Sequence, residues 1–251
     1  MNSSIISIHQ PSYFPWLGYI HKVFASNHFV VHDNVEFSKN SMYRRTFIRK
    51  NEFSKEYIII PLQKHSDFEL IKDLKICNNT NWQIKHINKL KNNYSDSKYF
   101  NKYQFDICEM LLQSKKIDNF SDFIIVLLRD LLSLLNIKTN LYRSSMIPVS
   151  GYKTDYNIKL IQYFNSTTYL SGAGAFKYYQ KIEDFHAHGI TVVKQEIFEF
   201  LQQHNYPQQY SYFMNGLSAI DAVFNIGIDG ITRILEIYSE IMFRNTMLDK
   251  Y

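Results

Sequence analysis

The chain has 251 residues, 45% of them hydrophobic and 20% charged, which is enough apolar surface for a folded core and excludes a disordered polymer. Its net charge of +5 suits an anionic small ligand, but no dense Lys/Arg stripe exists and a nucleic-acid partner is not expected. The two cysteines, Cys77 and Cys108, lack the spacing of a zinc site or redox pair, so buried thiols in a reducing compartment and no metal are expected.

The amino terminus lacks the basic region and long apolar core of a signal peptide. The apolar run from Phe123 to Leu128 is interrupted by Arg129 and Asp130, too soon for a spanning helix. A cytoplasmic protein is the expectation.

Ile5 to Ile8 reads as a first strand running into His9-Gln10-Pro11-Ser12-Tyr13-Phe14-Pro15-Trp16-Leu17-Gly18-Tyr19. Pro11 and Pro15 disfavour helix and central strand and push their preceding residues to extended conformations, so a stiff loop is predicted, followed by a helix from Leu17 to Ala25. His9 and Gln10 fall at the carboxyl end of the strand, where open α/β sheets place ligand crevices. The rings of Tyr13 and Trp16 either line that crevice or, with Phe14, seat the helix against the sheet.

Strands are predicted at His28–His32, Phe47–Arg49 and Tyr57–Pro61, as a β-meander or a short βαβ start. Just past the second strand stand Asp33, Lys39, Arg44 and Arg45. A carboxylate there is placed to reach a crevice, and Lys39 and Arg45 can offset an anionic substrate; the alternative is a solvated loop with surface ion pairs. From Trp82 the period becomes helical, with Ile84, Ile87 and Leu90 on one face, and a long helix is expected within Asn119–Asn136. Ser121-Asp122 and Asn136 supply its start and stop signals.

After a connector at Pro148 to Thr154 the pattern returns to α/β. A helix is predicted at Asp155–Phe164, strands at Thr167–Leu170 and Ile190–Gln195, a helix at Phe176–Tyr179, and two final helices at Leu217–Ile226 and Asp229–Phe243. Ser171-Gly172-Ala173-Gly174-Ala175 joins strand to helix, the arrangement in which backbone N–H groups converge on an anion, although an ordinary turn has the same composition. Asp221 and Asn225 share a helical face, to touch a ligand or to hold the loop after Tyr13. The fold class is α/β: a mixed or mostly parallel sheet flanked by helices, with a mainly helical middle segment at about 82–136, in a single domain over 1–251.

These segments together resemble the WbqC-like family of bacterial proteins. The matching pieces are residues 9 to 19, then Asp33, Val35, Phe37, Lys39 and Arg45, then Tyr169 to Ala175, then Leu217 to Gly227, in order along nearly the whole chain. His9 and Thr46 depart from the common pattern and bear on substrate specificity. The resemblance implies a place in O-antigen and other surface-polysaccharide (lipopolysaccharide) biosynthesis, with suggested glycine transfer to amino sugars.

The combined expectation is an N-acyl or N-aminoacyl transferase acting on the amino group of a nucleotide-linked deoxyamino sugar. His9 is the expected base, with Asp33 orienting it or acting in its place. Gln10, Tyr13, Trp16, Lys39, Arg45, Ser171, Gly172, Gly174, Asp221 and Asn225 are the expected substrate-binding residues. No ATP-binding motif is visible, so no tightly bound cofactor is expected and the co-substrate is an acyl or aminoacyl thioester on coenzyme A or an acyl carrier protein. The rivals are a nucleotidyltransferase-like enzyme, although both histidines of an HxGH motif are missing, and a non-catalytic sugar-nucleotide-binding protein.

Overall fold

A computed structural model describes residues 4–39, 41–66, 68–172, 174–175 and 181–248 of the protein. The strand β1 (Ile5–His9), the helix α1 (Leu17–Phe24) and the strand β2 (His28–Val31) form a βαβ start, with β1 and β2 parallel and His9 opposite Val31. β5 (Asn140–Arg143) adds beside β2, whereas β6 (Thr168–Gly172) and β7 (Thr191–Gln195) add beyond β1. The resulting five-stranded sheet has the order β5-β2-β1-β6-β7 and every neighbour pair is parallel.

Alternation along the strands sends side chains to two cores. Ile6, Ile8, Val30 and Tyr169 pack with Tyr156, Leu160 and Phe185, contributed by α5 (Lys153–Tyr163) and α6 (Ile182–His186). Phe29, Val31 and Leu170 instead join Leu17, Ile20 and Val23 of α1 in a larger cluster. Parallel strands covered on both faces account for their nearly continuous apolar runs.

Between β2 and β5 the chain makes an antiparallel hairpin, β3 (Arg45–Arg49) with β4 (Lys55–Ile59). The helices α2 (Trp82–Tyr94), α3 (Phe100–Gln113) and α4 (Phe120–Leu134) follow, the expected helical middle. The side chain of Asn119 caps α4, accepting from the Asp122 backbone N–H at 2.9 Å, two residues before the predicted start signal. α7 (Ile197–Gln203) and α8 (Ala219–Leu248) complete the chain, and Gly227 breaks α8 with φ 68°, so that two helices are present as the sequence predicts. β5, α6 and α7 are additions to the predicted elements. The helix expected at Phe176–Tyr179 lies outside the described residues.

Spatial order and chain order part company at β1. The chain moves from β1 to β2 and β5 on one side, then crosses to β6 and β7 on the other, which makes the gap beyond the carboxyl ends of β1 and β6 a topological switch point.

Candidate active site

A cavity of about 660 Å³ opens at this switch point. β1 contributes Ile8, His9 and the following Gln10; the end of β2 contributes His32 and Asn34; β6 contributes Tyr169, Ser171 and Gly172, with Gly174 just beyond. Tyr152, Tyr156 and Asn157, at the start of α5, line it as well. A Cβ built on Gly172 or Gly174 meets nothing within 4 Å, so this stretch of backbone borders open space. The volume lies within the range of small-molecule and cofactor sites.

His9 Nδ1 donates to the Gln10 carbonyl at 3.1 Å, which leaves the lone pair on Nε2. Burial is the main cause that lowers its pKa to about 3, and the nearby Lys22 adds to the effect. The ring is therefore neutral near pH 7 and edge-packed on Tyr19 at 4.8 Å. His32 hydrogen-bonds the Ser144 hydroxyl through Nδ1 at 3.1 Å, and burial lowers it to about 4 despite the adjacent Asp33. Two neutral imidazoles thus reach one cavity from adjacent strands.

Lys22, on α1, lines the same cavity and is 4% exposed. The run from Leu17 to Val23 is buried throughout, so the lysine lies on a helix with little polar surface. Burial lowers its pKa from 10.5 to about 7. Sequence reading passes over Lys22 and His32 because lysine is almost never fully buried and His32 reads as the end of a strand. The available signal is the position of Lys22 inside an otherwise apolar and aromatic helix.

Of the predicted site residues, His9, Gln10, Ser171, Gly172 and Gly174 meet in the cavity, whereas Tyr13, Trp16, Asp33, Lys39, Arg45, Asp221 and Asn225 are absent from its lining. Asp33 is fully buried: Oδ2 accepts from Arg143 Nε at 2.7 Å and the Ser145 hydroxyl at 2.9 Å, and Oδ1 accepts from the Ser145 backbone at 3.0 Å. It joins the end of β2 to the turn after β5 and makes no contact with His9 in this arrangement.

Tyr13 and Phe14 are wholly buried, and the Tyr13 hydroxyl bonds His86 Nδ1 at 2.9 Å. Trp16 packs beneath Gly18 and near Phe198. The aromatic loop is therefore a keystone of the core. Arg45 lies on β3 with its guanidinium 4.8 Å from the Tyr57 ring centroid, and Lys39 is exposed. Asp221 accepts from Tyr206 at 2.9 Å and Gln208 at 3.0 Å, while Asn225 Nδ2 donates to the Asp221 carbonyl at 2.8 Å. Burial raises the Asp221 carboxyl to about 6. This polar pair ties the Tyr206–Gln208 segment to α8, a structural role with partners other than the loop after Tyr13, which is held by Ser218 and Ala219 instead.

Among the described residues no group of three or more His, Cys, Asp or Glu side chains is arranged to hold a metal ion, and no helix is long and apolar enough to cross a membrane. The chain is 25% identical over 224 residues to the uncharacterized protein Rv1507c of Mycobacterium tuberculosis (strain ATCC 25618 / H37Rv), an alignment covering 89% of this chain and 94% of that relative. The model of the WbqC-like protein family matches residues 10–233, which include the proline-rich loop, the cavity-lining turns and most of the sheet, and the chain belongs to that family.

Proposed function

We propose that the protein transfers an acyl or aminoacyl group from a thioester to the amino group of a nucleotide-linked deoxyamino sugar. The observation that carries this reading is the cavity at the switch point, where the neutral His9 keeps an Nε2 lone pair in reach of a ligand. Such a nitrogen accepts a hydrogen bond from a sugar amine and aims the nitrogen lone pair at the acyl carbon. With its pKa near 3, His9 orients the acceptor and is too weak a base to hold the proton at neutral pH.

The open backbone at Gly172 and Gly174 offers N–H groups to a diphosphate or to the oxyanion of the tetrahedral intermediate. Tyr152 and Tyr156 offer ring faces and edges to a base or sugar. The donor is coenzyme A- or acyl-carrier-protein-linked, and the reaction converts amine and thioester into amide and thiol. Surface-polysaccharide biosynthesis is the setting proposed for this reaction, as the family resemblance implies.

Mass spectrometry after incubation with a panel of nucleotide-linked amino sugars and acyl or aminoacyl thioesters tests the reading. The expected result is an acceptor heavier by one acyl group, with one thiol released per turnover. Acceptor binding without product from any donor would support the sugar-nucleotide-binding reading instead. Nucleotidyl transfer is favoured by one observation, the strand order with two imidazoles at adjacent strand ends, and predicts pyrophosphate release from a nucleoside triphosphate.

A further inference from the structure

Lys22 is the buried amine in the cavity, and the roles above leave it unused. Its side chain is more than nine-tenths buried, yet among the described residues no carboxylate pairs with it and no hydrogen bond engages its Nζ. A buried charge without a partner is costly, so an amine in this position is maintained at the expense of stability.

The groups that share the cavity do not neutralise it. His9 from β1 and His32 from β2 are neutral near pH 7, and Tyr152, Tyr156 and Tyr169 come from α5 and β6. Glu36 and Lys153 line the cavity without pairing to Lys22, and Asp33 is committed to Arg143. On α1 itself, the neighbouring His21 bonds Ser239 and Gln195 away from this cluster and is likewise held neutral by burial.

We infer that Lys22 is the general base of the transfer, taking the proton from the sugar ammonium before its nitrogen attacks the thioester. This rests on the acyl-transfer reading of the same site. In the step, the acceptor N–H bond breaks as an N–H bond forms at Lys22 Nζ, turning the neutral lysine into an ammonium. The freed lone pair then forms the C–N bond, the C–S bond breaks, and the departing thiolate takes a proton from the Lys22 ammonium. The second proton lost by the attacking nitrogen goes to solvent. A base with a pKa of about 7 is matched to a sugar amine at neutral pH, whereas His9 and His32 are held several units lower.

Turnover and acceptor affinity across pH are measured for the wild type, Lys22→Met and Lys22→Arg. Lys22→Met is expected to lower turnover roughly 10²–10⁴-fold with acceptor affinity within a few-fold, and to abolish a rising limb centred near pH 7. Ethylamine added to the methionine variant is expected to restore part of the rate, and Lys22→Arg, whose guanidinium stays protonated, to remain slow. Product formation with turnover of Lys22→Met within a few-fold of wild type, or with the limb intact, would overturn the base assignment and leave the acyl-transfer reading standing.

No product from the wild type with any donor and acceptor pair would overturn both. Competitive acetylation of the full-length protein with acetic anhydride provides a readout independent of turnover: Lys22 is expected to titrate near pH 7, well below the surface lysines. Titration together with those lysines would contradict the assignment even if the variants were slow.

Discussion

Lys22 is buried without a counter-charge, and this gives stability a definite slope with pH. Between about pH 7 and 10.5 the unfolded lysine holds a proton that the folded one has released, so stability from this residue rises with pH across that window. Lys22→Met is expected to melt above the wild type at pH 7 and below, with the gap closing towards pH 10, as followed by thermal unfolding. Asp221 acts in the opposite direction. Its folded carboxyl, raised to about 6, keeps a proton that the unfolded one loses near 3.8, so stability falls as pH rises from about 4 to 6. Asp221→Asn is expected to flatten that decline in melting temperature. Asp33→Ala removes one of the two carboxylates paired with Arg143, the other being Asp122, and leaves the Ser144 and Ser145 donors unpaired, and is expected to cost about 3 kcal/mol by denaturant titration. Folded protein carrying this change should retain the proposed transfer activity, because Asp33 does not line the cavity.

The loop from Gln10 to Trp16 is the element whose role changes most between sequence and structure. Phe14 sits at φ 38°, a costly conformation for an aromatic residue, and its carbonyl accepts from Thr46 Oγ1 at 3.0 Å and Ser218 Oγ at 2.9 Å. The Pro15 carbonyl accepts from the Ala219 backbone at 2.8 Å. The loop thereby ties α1 to the hairpin, 32 positions away, and to the start of α8, more than 200 positions away, and local pattern contains no sign of either contact. Dense rings and hydrogen-bonding groups in a connection therefore marked a tertiary keystone as well as the cavity edge at His9 and Gln10. A Cβ on Gly18 would lie 2.3 Å from the Trp16 ring, so Gly18→Ala is expected to cost about 1–3 kcal/mol. Gly172→Val and Gly174→Val add their side chains where a Cβ meets open space, and calorimetry is expected to show weaker ligand binding before any loss of stability.

At the scale of the whole molecule, the α/β class and helical middle were legible because the sheet strands carry apolar runs and α4 carries a strong helical period. β5, Asn140-Leu141-Tyr142-Arg143, was hidden because four residues with one aliphatic side chain make no strand pattern; its place beside β2 comes from pairing. The cavity was half legible: His9 and the Ser171–Gly174 turn stand at strand ends in sequence, but Lys22 reaches them only because α1 folds back over the sheet. The central claim is that a nucleotide-linked amino sugar binds at the switch point between β1 and β6. Hydrogen exchange followed by mass spectrometry, with and without the amino-sugar nucleotides of the panel, tests it most directly. The account predicts slower exchange in residues 8–10, 151–157 and 171–175 with a binding acceptor, and little change in residues 205–213 around the Asp221 network. Protection confined to 205–213, or no protection at the three cavity segments, would contradict it.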